Sequence, residues 1–161
     1  MHVITIELKK GRGGPSSLAC RREDGSRTLA QLHPFLPTHD LTHCAVESAL
    51  GMTEGFFGLV AGGWELDDFA TPGAAARLPP QALWAEQIVG LIERQVATDA
   101  GGMNEALSAS LSPELRAGAP SLTDRDMEVI ERLRRRLLTR WQGLGDGETL
   151  RVRFPASLSG V

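Results

Sequence analysis

The stretch THDLTHCAVE, residues 38 to 47, gathers two imidazoles and two carboxylates into ten positions. Pro37 precedes it and Gly51 follows it, so the pattern predicts a helix with Thr38 as N-cap and a stop at Gly51. On a helix, residues four apart are displaced by about 40° around the axis and roughly 6 Å along it. His39 and His43 therefore stand one above the other, and a metal ion can be shared between their rings. Asp40, near the positive end of the helix dipole, is the expected catalytic base towards a metal-bound water. Glu47 continues the histidine face by one more step, either as a third ligand or as a partner accepting a hydrogen bond from an imidazole. Helical side chains lean towards the N-terminus, which lets Glu47 reach back but does not bring His39 forward. A ligand from elsewhere is the alternative: His33, Glu54, Glu65, Asp67 or Asp68.

The spacing His39-Asp40-x-x-His43 is similar to the HExxH arrangement, in which one helix supplies two zinc ligands, with a carboxylate one methylene shorter in the base position. It also resembles the metal-binding signature of the Coq4 family of quinone-biosynthesis proteins, where HDxxH is followed after eleven residues by glutamate. His39, Asp40 and His43 match that signature; the glutamate position holds Gly55, with Glu54 one place early. The resemblance is confined to this segment and favours zinc. Imidazole with carboxylate also suits iron, nickel or manganese, and zinc is the expectation for two helical histidines. An ion with an open coordination position would acidify a bound water, the chemistry of ester, amide or phosphoester hydrolysis.

A rival reading treats the same residues as a structural polar network in a non-catalytic module that binds a ligand or a protein. The concentration of histidine speaks for metal, because three of the four histidines lie between residues 33 and 43.

Elsewhere the chemistry is plainer. KKGRGGPSS lacks the GK[ST] ending of a phosphate loop and reads as an inter-strand connection. In ERLRRRLLTRW the four-residue pairs Glu128-Arg132 and Glu131-Arg135 describe a solvated helix face. Phe56, Phe57 and Trp64 are expected in the core, and Cys44 is expected to be a buried small residue. A net charge of −3 over 161 residues gives no overall basic field for nucleic acid or anionic lipid. The longest apolar stretch, GFFGLVAGGW, is too short and glycine-rich to span a bilayer. Two distant cysteines and no apolar leader point to a reduced, cytoplasmic protein. The partners expected are a small-molecule substrate or ligand of unknown identity and a homodimer, with neither nucleic acid nor membrane.

The elements that must position the cluster follow from periodicity. Ile4, Ile6 and Leu8 alternate as a strand, Asp24-Gly25 joins two arms of a hairpin, and Leu150, Val152 and Phe154 form a terminal strand. Between them lie the histidine helix, a short segment from Glu54 towards Gly63, an amphipathic helix opened by Pro80, and a helix from Thr123 with Asp126 as its capping box. Trp84, Ile88, Leu91 and Ile92 define the apolar face of the Pro80 helix, with Glu86 and Glu93 mostly off it. Residues 67 to 79 read as a loop, and 99 to 121 as irregular apart from a turn after Ser112-Pro113. The expected fold is α+β in one domain, 1–161. A small antiparallel or mixed sheet pairs its first and last strands, with three to four helices against one face.

Overall fold

The computed structural model describes residues 2 to 31 and 36 to 160. His33, one of the alternative ligands, lies outside them. Strand β1 (Ile4–Lys9), the hairpin of β2 (Ser17–Arg22) and β3 (Arg27–Gln31), and β4 (Thr149–Phe154) form an antiparallel sheet in the order β3-β2-β1-β4. The hairpin turns where expected: Gly25 takes a φ of +87°, and the Asp24 carboxylate accepts the Ser26 amide at 2.8 Å. β1 is flanked by β2 and β4, with Ile6 opposite both Cys20 and Val152. Ile4, Ile6, Leu8, Leu18, Leu150, Val152 and Phe154 are buried on one face of this sheet.

The helices are α1 (Leu36–Ala49), α2 (Phe56–Ala61), α3 (Ala74–Arg77), α4 (Pro80–Glu93), α5 (Ala100–Ser110), α6 (Pro113–Arg116) and α7 (Asp124–Gln142). They form two layers over the same face of the sheet. Leu41, Cys44 and Ala45 of α1 and Leu133, Leu137 and Trp141 of α7 pack with the sheet residues in one core cluster. Val46 of α1 and Ile130 of α7 belong to a second cluster with Ala85, Ile88, Val89 and Leu91 of α4 and Met103 and Leu107 of α5. As the filling of a sandwich, α1 has every residue from Asp40 to Glu47 buried. Burial on all sides is what forces its polar side chains to find protein partners.

Three local expectations change. Helix α1 already includes Leu36, so Thr38 and Asp40 lie inside it; Pro37 fits the first turn, where its missing N–H costs nothing. Residues 67 to 79 carry a 3-10 turn (Leu66–Ala70) and α3. The segment read as irregular contains α5, capped by Asp99, whose carboxylate accepts the Gly102 amide at 2.7 Å. Tertiary burial of Met103 and Leu107 outweighs the weak propensity of its glycines. The α7 capping box forms as expected, with Thr123 and Asp126 exchanging hydrogen bonds. Glu128-Arg132 and Glu131-Arg135 pair at 3.5 and 3.1 Å on its exposed side. Among the described residues no helix is long and apolar enough to cross a membrane.

Candidate metal centre

Helices α1 and α4 run antiparallel: His39 meets Glu93, His43 meets Glu86, and the Glu54 amide beyond α1 meets Gln81 at the start of α4. Glu86 and Glu93 lie two turns apart on one stripe of α4 and therefore face the pair His39 and His43, one turn apart on α1. His39, His43 and Glu86 each bring one ligand atom within 4.8 Å of the others, a grouping that can hold a metal ion. Nε2 of His43 lies 2.8 Å from one Glu86 oxygen, and Nε2 of His39 lies 3.4 Å from the other. Metal–ligand bonds of roughly 2.0 Å in a tetrahedron set ligand atoms about 3.3 Å apart. The two histidines reach different Glu86 oxygens, so sharing one ion brings their nitrogens and a single Glu86 oxygen, now within 4.8 Å of one another, to that spacing. The His43 distance is a hydrogen bond that would widen by about half an ångström around an ion.

The opposite nitrogens are held separately. Nδ1 of His39 sits 3.0 Å from Glu93, and Nδ1 of His43 sits 3.1 Å from Glu47. A carboxylate on the far side of each imidazole fixes the ring and its tautomer, as is usual for metal-ligating histidines. Glu47 is fully buried and does not join the group of three. Its second oxygen accepts the amides of Phe57 at 3.0 Å and Gly58 at 3.2 Å. These are two N–H groups at the start of α2 that have no acceptor within the helix, and Gly55, its N-cap, supplies no side chain. One carboxylate thus caps α2 and anchors His43. The approach is close: a Cβ at Gly55 would fall 2.4 Å from Cδ of Glu47, so glycine is required there.

Burial and charge act in opposite directions on these groups. Burial pulls the His43 imidazole down, but the hydrogen bonds it donates to Glu47 and Glu86 outweigh it and hold it up at about 10. The hydrogen bond to Glu86 raises His39 against its own burial. Glu86 is lowered well below the usual carboxylate range, first by His39 and then by His43. Asp40 is buried and pushed up to about 7 by desolvation, against the opposing pull of His43 and then His39. Its Oδ2 has no hydrogen-bond partner among the described residues. Asp40 stands outside the group of three.

Two of the remaining candidates are engaged elsewhere. Glu65 pairs with Arg22 at 3.3 Å, and Asp68 accepts the Glu65 amide at 2.7 Å. Neither these nor Glu54 and Asp67 belong to a ligand group among the described residues. Cys44 is fully buried, and desolvation raises its thiol to about 12, so no thiolate forms there at neutral pH. Phe57 is fully buried as expected, while Phe56 is partly exposed and its ring lies 5.7 Å from that of His43.

Glu86 and Glu93 complete the cluster from outside the residues expected from the sequence. Both sit off the apolar face of α4, where a glutamate reads as a solvated residue; the Glu86 side chain is indeed 57% exposed. The available signal was a pair of glutamates seven residues apart on one helix, matching two histidines four apart on another. No protein family, curated protein or solved structure matches the chain.

Proposed function

We propose that this protein binds a divalent metal ion, zinc, through His39, His43 and Glu86. The observation that carries the reading is that both imidazoles direct the same nitrogen, Nε2, at one carboxylate while each Nδ1 rests on a carboxylate of its own. Two imidazoles with a carboxylate are a zinc ligand set. The likeness of His39-Asp40-x-x-His43 to the Coq4 signature points the same way, with the acidic ligand here supplied by α4.

Three protein ligands leave a position for an exchangeable one, the composition of catalytic rather than structural zinc sites. Glu86 is exposed, so that position would open on the solvent side of the α1–α4 seam. The reading extends to hydrolysis of an ester, amide or phosphoester, since a metal held there would bring a bound water near neutrality. Asp40 is the proposed base: it is buried beside the cluster and coupled electrostatically to both histidines, and an ion held there would favour its ionised form.

A second reading has its own support. The 2.8 Å contact between His43 and Glu86 is a hydrogen bond, as expected for a metal-free network that ties α1 to α4. Thermal unfolding of tag-free protein with zinc and with a chelator separates the two. A metal centre predicts a transition raised by zinc and lowered by chelator, with both effects lost in Glu86→Gln. A transition indifferent to both would leave the polar network as the role of these residues.

A further inference from the structure

The sheet turns its other face outward, and that face is basic although the chain as a whole carries −3. Across the four strands one row reads Arg153, Thr5, Arg21, Arg27, because Thr5 pairs with both Arg153 and Arg21, and Arg21 pairs with Arg27. The next row reads Arg151, Glu7, Ala19, Leu29, and Lys9 follows in the third. Five cations thus share the face with a single strand carboxylate. Glu7 is surrounded by Arg151 at 3.3 Å, Arg27 at 3.4 Å and Arg21 at 4.0 Å, so its one charge is shared among three guanidiniums. Arg153 makes no ion pair among the described residues and is exposed.

A groove of about 270 Å³ opens over this row, lined by Thr5, Arg21, Arg151 and Arg153, with Glu23 on its wall. Strands lie about 4.8 Å apart, so Arg21 and Arg153 flank Thr5 at backbone positions roughly 10 Å from each other, within side-chain reach of one anion. We propose that this groove binds the phosphate group of a small phosphorylated ligand, seated over Thr5 between Arg21 and Arg153. A multiply charged tetrahedral anion offers enough acceptor oxygens for two guanidinium forks and the threonine hydroxyl together. Among the described residues the face carries no aromatic side chain on which a nucleic-acid base could stack, so a single-stranded polynucleotide is not the ligand it fits. A second copy presenting the same face would meet it with like charges, which argues against self-association there. The groove lies across the sheet from the helices that carry His39, His43 and Glu86, and it is independent of the metal reading.

The test is titration of the protein with inorganic pyrophosphate at low ionic strength, followed by amide NMR and calorimetry. The result expected is saturable binding that shifts the Thr5, Arg21 and Arg153 amides, weakens with added salt, and weakens by roughly tenfold or more in Arg21→Gln/Arg153→Gln. The replaced side chains are exposed, so the variant should retain the parent's circular dichroism and melting transition. Binding should persist in His39→Ala/His43→Ala, which separates the groove from the α1–α4 centre. Absence of saturable binding, equal binding by the arginine variant, or equally tight binding of a triglutamate peptide would overturn the proposal.

Discussion

Glu47 holds His43 from behind: its Oε2 lies 3.1 Å from Nδ1 of the imidazole, and both side chains are buried. Its Oε1 is fixed in turn by the amides that open α2. The ring therefore has one orientation, with Nε2 facing α4, and the fold itself sets where His43 points. Replacing Glu47 by Gln should weaken zinc binding by about 10- to 100-fold without removing a ligand. It should also cost about 2 kcal/mol of metal-free stability, because a charge-assisted buried network becomes a neutral one. Competition with a chromophoric chelator and urea unfolding read the two effects. Unchanged zinc affinity would show that the anchor is irrelevant to the centre.

Gly55 lets that carboxylate come so close to the turn. A methyl group there meets Cδ and Oε1 of Glu47 at 2.4 Å, so the carboxylate must move off the amides of Phe57 and Gly58 that hold it. Gly55→Ala is expected to reproduce the Glu47→Gln loss of zinc affinity from a position that touches no imidazole. A stability loss of about 1–3 kcal/mol should accompany it. An alanine variant with parental zinc affinity would mean that Glu47 can shift without disturbing His43.

The two glutamates of α4 should separate by role. Glu86 contributes an atom to the group of three, so Glu86→Gln should abolish tight zinc binding. Among the described residues Glu93 touches only Nδ1 of His39, so Glu93→Gln should weaken binding by about tenfold and leave its stoichiometry intact. Isothermal titration of zinc into each variant gives the comparison, and equal effects would remove the distinction.

The pH dependence has a definite sign. His43 is raised from 6.5 to about 10 in the folded chain, so its contribution to metal-free stability is complete below pH 6.5 and disappears as pH rises to about 10. Asp40, raised from 3.8 to about 7, adds a loss of stability across that lower window, because the folded state retains a proton that the unfolded state releases. Glu86 acts in the opposite direction: lowered from 4.5, it contributes above that pH and its share is lost as pH falls further. The metal-free melting temperature should therefore peak in mildly acid solution and decline to pH 10. Zinc affinity should rise over the same range, since the ligating nitrogens must shed protons. Parallel slopes for the two quantities would contradict this assignment of charges.

Asp40→Asn tests the buried carboxyl on its own. Removing a charge whose Oδ2 has no partner among the described residues should stabilise the protein by about 1–3 kcal/mol at pH 8. That gain should grow as pH rises from 3.8 to about 7 and level off above it. If Asp40 is the base, the same variant retains its metal and loses hydrolytic turnover in a screen of activated esters and phosphoesters. Retained turnover would assign the base to another group.

Much of this could be read from sequence where the signal is local. The strand alternation of Ile4, Ile6 and Leu8, the Asp24-Gly25 turn and the Thr123–Asp126 cap depend on neighbouring residues, and each appears in the fold. The pairing of His39 with His43 is equally local, a four-residue step on one helix. Helix α5 was hidden because its stability comes from Met103 and Leu107 reaching a core shared with α4 and α7, while its own Gly101 and Gly102 argue against it. Glu86 was hidden for the same reason: its significance depends on which helix lies opposite, and nothing in α4 alone distinguishes it from a solvated glutamate. Glu47 was legible as a partner of histidine but not as a cap for α2, because the turn at Gly55 had to be placed first.

If α1 and α4 jointly hold one ion, the metal content of the protein depends on both helices. Tag-free protein and its Glu86→Ala variant, both shown to be folded, would be incubated with zinc, freed of excess and assayed by elemental analysis. Shared coordination by the two helices gives close to one zinc per parent chain and almost none in the variant. A parent that takes up no zinc, or a variant that keeps the full amount, would contradict it.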